Sequence, residues 1–175
     1  DDMCDVFRHL PLKDFPFFNK SASYFYDWVA HPDDDEYWAQ LNIENRHDSI
    51  PIPACNVGGW YDIFLGGTIR NYVGMQERAA TPEARSGQKL VIGPWHHTLP
   101  LNNIVGEANF GLSSTQLAAD LDGLHLNLFD YWLKGKRNGL LEEPPVRIFV
   151  MGENVWRNEN EWPLARTQYT KYYLH

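Results

Sequence analysis

The sequence predicts an α/β fold built on parallel strands, and three observations carry that expectation. Two short apolar runs rich in β-branched residues, Pro51 to Val57 and Leu90 to Ile92, each stop at glycine, Gly58-Gly59 in the first case and Gly93 in the second. Between them, Thr68 to Glu77 places Ile69, Tyr72, Val73 and Gln76 on one side of a helix. The connection is too long for a hairpin, so strand, helix and strand form a crossover unit whose strands run parallel and end on one edge of a sheet. Such edges are where α/β folds place chemistry. Here the two ends read Gly58-Gly59-Trp60-Tyr61-Asp62 and Gly93-Pro94-Trp95-His96-His97.

The remaining elements follow in chain order. The first fifty residues suggest short helices joined by irregular turns, with Tyr24, Phe25 and Trp28 at helical spacing inside Ser21 to Ala30. His31-Pro32 ends that helix. A second is expected to start at Pro32-Asp33-Asp34-Asp35-Glu36, because proline and acids favour the first turn, and it turns Tyr37 and Trp38 inward. After the crossover helix, Pro82 to Gly87 reads as the returning loop, and Thr98 to Gly111 as a long polar loop. Ser113-Ser114-Thr115-Gln116 supplies a capping-box pattern for a helix running to Lys134-Gly135. Its apolar faces are Leu117, Leu121, Leu124, Leu128 and Trp132, and Leu126, Phe129 and Leu133. From Glu142-Glu143-Pro144-Pro145 the pattern changes to strands, at Val146 to Met151 and, after a Trp/Asn/Glu-rich turn, at Thr170 to Leu174. A domain boundary is expected near Gly139 to Pro145.

Composition narrows the function. At 175 residues the chain suits one domain with a real core, and 43% hydrophobic with 14% aromatic residues excludes disorder. A net charge of -8 without a Lys/Arg stripe argues against a nucleic-acid partner. No apolar stretch approaches the roughly 20 residues that cross a bilayer, so no membrane partner is expected. Cys4 and Cys55 cannot form a disulfide framework, and Cys55 sits in an apolar run as a small hydrophobe. The chain begins Asp1-Asp2-Met3-Cys4, without a signal core, which suggests a processed or cut polypeptide and leaves localisation open.

An acid at one strand end and an imidazole at its neighbour are the supporting half of a catalytic triad, in which the carboxylate orients a histidine that takes a nucleophile's proton. Asp62 could instead cap the following helix, His97 could be a plain loop histidine, and His96 competes with it. Metal binding is disfavoured: His96-His97 lacks the two-histidine helical spacing, and Asp33 to Glu36 lacks a calcium loop's alternating ligands and central glycine. No metal or other cofactor is expected. Asn19-Lys20-Ser21 fits a glycosylation sequon but carries no weight alone. The seven tryptophans admit a non-catalytic carbohydrate- or protein-binding module, although most lie in apolar contexts that favour packing.

Four segments carry a wider resemblance: Gly58 to Phe64, Gly93 to His97, Phe129-Asp130-Tyr131-Trp132-Leu133-Lys134-Gly135, and Val150-Met151-Gly152-Glu153-Asn154-Val155-Trp156. In this order they resemble the family of cocaine esterase, X-prolyl dipeptidyl peptidases, α-amino acid ester hydrolases and glutaryl-cephalosporin acylases. The resemblance implies an α/β-hydrolase core with an inserted helical cap and a C-terminal β jelly roll. On that template residues 1–50 are the end of the cap, 51–139 the C-terminal part of the core, and 140–175 the start of the jelly roll.

The resemblance further implies a triad in the order Ser, Asp, His, with Asp62 matching the acid, His97 the base, and Phe64 an aromatic position lining the acyl pocket. No Gly-x-Ser-x-Gly elbow occurs in these residues. The expectation is therefore a serine-hydrolase fragment, inactive alone, whose parent cleaves ester, amide or X-prolyl peptide bonds. Ile63, Phe64 and Leu65 are apolar where the α-amino acid ester hydrolases are carboxylate-rich, which favours an uncharged acyl group. The expected partners are a small-molecule or peptide substrate and the missing N-terminal portion. Self-association through open sheet edges is also expected.

Overall fold

The computed structural model describes residues 3–97 and 103–174, and the chain divides between Asn45 and Arg46 into two compact units. The first holds α1 (Met3–Phe7), α2 (Tyr24–Ala30) and α3 (Glu36–Ala39), with 3-10 turns between α1 and α2. Phe15 is its buried centre, ringed by Phe17, Phe18 and Phe25 at centroid distances of 5.2, 5.0 and 5.8 Å. The second helix begins at Glu36 and not at Pro32. Asp35 is the residue that stops the extended chain and accepts a hydrogen bond from the Tyr37 N–H at 2.9 Å, so the cap overrides proline preference. Tyr37 and Trp38 are half-buried, and the Trp38 indole donates to the His31 carbonyl at 2.8 Å.

The second unit is an α/β layer structure. Strands β1 (Cys55–Gly59), β2 (Lys89–Gly93), β5 (Val146–Val150) and β6 (Val155–Glu159) form one sheet in the order β1-β2-β5-β6. The first three run parallel, while β6 returns antiparallel to β5. Helix α4 (Leu65–Arg78) makes the crossover from β1 to β2, as strand-helix-strand chemistry requires. Every residue of β2 is buried, the pattern of a parallel strand covered on both faces. On one side Tyr72 packs with Leu90, Ile92, Val146 and Ile148; on the other, Val91, Trp95, Ala119 and Leu121 pack with Leu124 and Trp156.

Several expectations change. Pro82 to Gly87 is not a loop but holds α5 (Pro82–Ser86), which Thr81 caps by accepting from the Ala84 N–H at 3.0 Å. Within the expected Thr98 to Gly111 loop, residues 98–102 lie outside the described residues. The rest contains a two-residue-per-strand hairpin, β3 (Ile104–Val105) and β4 (Ala108–Asn109). Helix α6 (Leu121–Lys134) starts after the Ser/Thr run, capped by Asp120 at φ 53° with its carboxylate accepting from the Gly123 N–H. Ser114 and Thr115 donate to carbonyls three residues back, and the Thr115 hydroxyl accepts from the Ala118 N–H at 3.1 Å, so they cap a local turn ahead of α6. Leu117, Leu126, Phe129 and Leu133 are exposed, so only one of the expected faces of α6 is covered. The Trp/Asn/Glu-rich turn is largely β6 itself. Thr170 to Leu174 forms no strand, and Tyr172, Tyr173 and Leu174 are exposed. Strands β5 and β6, beyond the expected boundary, extend the sheet of β1 and β2.

Candidate active site

The site begins where β1 and β2 end. Their register pairs Gly58 with Ile92 and Gly59 with Gly93, and the backbone pairing continues past the strands: the Trp60 N–H donates to Gly93 O at 2.9 Å and the Tyr61 N–H to Trp95 O at 3.0 Å. Gly59 makes this closeness possible. A Cβ there would fall 2.1 Å from the Trp95 carbonyl oxygen, and that atom belongs to the backbone. Two indoles brace the ends, Trp60 donating to Phe149 O at 2.7 Å and Trp95 to Ser114 O at 2.6 Å.

This stitching brings Asp62 and His97 together from 35 positions apart, with Asp62 Oδ2 3.1 Å from His97 Nδ1. The other oxygen, Oδ1, accepts from the Phe64 N–H at 2.8 Å, while the Leu65 N–H meets Asp62 O at 3.1 Å as α4 begins. Asp62 therefore both caps the approach to the helix and faces the imidazole. A carboxylate only accepts, so Nδ1 donates, and the neutral ring carries its lone pair on Nε2. Burial works to raise the Asp62 pKa, but the Phe64 N–H and then the His97 contact outweigh it and hold the carboxyl below the usual 3.8.

Phe64 packs edge-to-face on His97, with centroids 4.7 Å apart at 78°. The pair is asymmetric in exposure: the Asp62 side chain is 15% exposed and that of His97 63%. The carboxylate is screened and the imidazole is reachable. His96 is half-buried. Ile63 and Phe64 project into solvent.

Among the described residues, no group of three or more His, Cys, Asp or Glu could hold a metal ion. No helix among them is long and apolar enough to cross a membrane. Cys55 is half-buried, and its thiol is pushed up to about 11 by burial, against the pull of Lys89. Six of the seven tryptophans are buried or half-buried, as packing residues are. The bracing roles of Trp60 and Trp95 were not legible in composition; their place one and two residues after a strand-end glycine is the signal that marks them.

Comparison with known proteins gives a consistent picture. Residues 8–99, more than half of the chain, match the profile of X-Pro dipeptidyl-peptidase (S15 family). Residues 138–175 match that of the X-Pro dipeptidyl-peptidase C-terminal non-catalytic domain. Over 99% of its length the chain is 36% identical to a cocaine esterase from Rhodococcus sp., of which it spans 29%. In fold it is similar to an aminopeptidase from the marine sediment archaeon Thaumarchaeota archaeon, with a TM-score of 0.65 and 23% identity over 83% of this chain and 23% of that one. An α-amino acid ester hydrolase gives a TM-score of 0.61 and 25% identity over 81% of this chain and 23% of its own. The chain thus spans under a third of the length of each of these relatives.

Proposed function

The chain belongs to the X-Pro dipeptidyl-peptidase (S15) family of hydrolases, and from that premise we propose that it is the acid-and-base portion of a serine hydrolase. Asp62 is the triad acid and His97 the base, and the nucleophilic serine lies outside these 175 residues. The observation that carries this is the contact between Asp62 Oδ2 and His97 Nδ1 at 3.1 Å, made by a screened carboxylate on a reachable imidazole. In the reaction, His97 Nε2 takes the serine proton as the hydroxyl attacks the acyl carbon, and returns it to the leaving alcohol or amine. A water molecule then attacks the acyl-enzyme by the same route. Asp62 holds the ring in the correct tautomer and stabilises its charged form. Alone, the chain lacks the nucleophile and turns over no ester. The proposed division is cap end over 1–50, hydrolase core over 51–139 and jelly-roll start over 140–175; the compact unit ending at Asn45 supports the first boundary and the start of the separate family match at 138 supports the second.

Phe64 and its apolar neighbours Ile63 and Leu65 favour an uncharged acyl group, because a substrate ammonium beside them would meet no carboxylate partner of its own. The test uses a polypeptide carrying both this chain and a Gly-x-Ser-x-Gly elbow. Asp62→Asn and His97→Ala should each lower kcat on acyl esters by about 1,000-fold or more, with little added loss in the double variant. Retention of activity within tenfold in either single variant would refute the triad assignment. Independently, acyl esters without an α-ammonium should turn over faster than those with one, and the reverse preference would refute the acyl-group assignment.

A further inference from the structure

A second cleft, of about 540 Å³, lies on the α6 face of the sheet toward the beginnings of the strands, at the opposite end from Asp62 and His97. The register builds it. Val91, Arg147 and Asn158 stand opposite one another across β2, β5 and β6, and so share one face. Lys89, two residues before Val91, shares that face by the two-residue period of a strand. With strands about 4.8 Å apart and a rise of about 3.3 Å per residue, the Lys89 and Arg147 Cα atoms are roughly 8 Å apart.

Both cations are hydrogen-bonded to backbone carbonyl oxygens. Lys89 is 5% exposed, and its ammonium donates to the Glu143 carbonyl at 2.9 Å. Arg147 donates one amino group to Ala119 O at 2.7 Å and lies over the Trp156 ring at 4.9 Å. Among the described residues neither has a carboxylate ion-pair partner. Holding a cation out of water is costly, and burial depresses the Lys89 pKa against the upward pull of Glu143, Cys55 and Glu142. Two acids line the same cleft, Asp120, whose carboxylate accepts from the Gly123 N–H, and Glu143, whose side chain is exposed. Val91, Leu124, Pro144 and Trp156 supply apolar wall.

We propose that this cleft binds an organic monocarboxylate with an apolar body, its carboxylate between Lys89 and Arg147 and its body against Leu124, Pro144 and Trp156. The donors of Lys89 and Arg147 stand beside an apolar wall and so fit one carboxylate on an apolar body, whereas a dianion such as phosphate would meet more of the repulsion of Asp120 and Glu143 and leave the wall unfilled. Trp156, beneath Arg147, is a built-in reporter.

The test is titration of the protein with phenylacetate, followed by calorimetry and tryptophan fluorescence. Phenylacetate should bind saturably, and phenylacetamide, its uncharged counterpart, at least tenfold more weakly. Arg147→Gln should weaken phenylacetate binding by at least tenfold, and Arg147→Lys should retain most of it. Lys89→Met should act like Arg147→Gln, with circular dichroism verifying that the variant is folded; if it is not, the Arg147 pair and the amide comparison decide. Equal binding of acid and amide, undiminished affinity in Arg147→Gln, or inorganic phosphate binding more tightly than phenylacetate would each overturn the proposal.

Discussion

At Asp62 the two carboxylate oxygens have separate duties, one fixing the turn into α4 through the Phe64 N–H and the other facing His97. Because both contacts favour the charged form, the folded-state pKa lies below the ordinary 3.8, and the stabilising contribution is present above that value. It is lost as pH falls through the depressed value. Asp62→Asn should therefore cost a roughly constant amount of stability near neutral pH, about 1 kcal/mol or less for so exposed a histidine partner. The gap to the native protein should narrow as pH approaches 3. Urea unfolding of both proteins between pH 7 and pH 3 measures this, and a gap unchanged at the acid end would contradict it. Residue types and chain order made Asp62 and His97 legible as candidates in the sequence. The distance between them was not, since it depends on the Gly59-to-Gly93 register and on a backbone approach that only a glycine allows. Lys89 and Arg147 were invisible for the same reason: they converge only across paired strands.

Among the elements, α4 shows how a buried polar network selects a sequence that propensity alone would not. His47 is 1% exposed and donates from Nε2 to Asn71 Oδ1 at 2.9 Å, while Nδ1 accepts from Arg78 at 2.9 Å. Asn71 donates to Asn56 at 2.8 Å, Asn56 to Gln88 at 3.3 Å, and Gln88 to the Ala84 carbonyl at 2.6 Å, so every amide points the same way along the chain. Gly74 gives His47 its space: a Cβ there would lie 2.3 Å from His47 Nδ1. Gly74→Ala gains about 1 kcal/mol of helix propensity. Against that stand about 1–3 kcal/mol of overpacking and about 1–3 kcal/mol for polar groups left unpaired. The net expectation is a loss of about 1–5 kcal/mol, measured by urea unfolding, and equal or higher stability would show that His47 moves aside freely. Helical periodicity disclosed α4 because its apolar stripe is long. It did not disclose α5, which is one turn held by Thr81, nor the start of α6, where Ser114 and Thr115 spend their hydroxyls on a turn. Thr170 to Leu174 has strand composition without a strand, because β propensity is realised only against a partner.

For the whole molecule, what matters is which surfaces the fold leaves uncovered. Among the described residues, the order β1-β2-β5-β6 puts β1, the strand that delivers Asp62, at the rim with a hydrogen-bonded strand on one side only. On α6 the residues Leu126, Phe129 and Leu133, at helical spacing, are 65%, 51% and 76% exposed. An unpaired parallel edge and an apolar helix stripe are both surfaces that bury themselves against another chain. Because the chain spans under a third of the length of its relatives, such surfaces are expected to meet the remainder of a larger protein; in its absence they meet one another. The chain on its own should therefore associate in a concentration-dependent manner, seen by light scattering coupled to gel filtration. Phe129→Lys with Leu133→Lys should weaken that association by removing the stripe, while leaving β1 to β2 pairing intact. A monodisperse monomer across the accessible concentration range would show that neither surface needs a partner, and undiminished association of the lysine variant would show that the α6 stripe does not carry the contact.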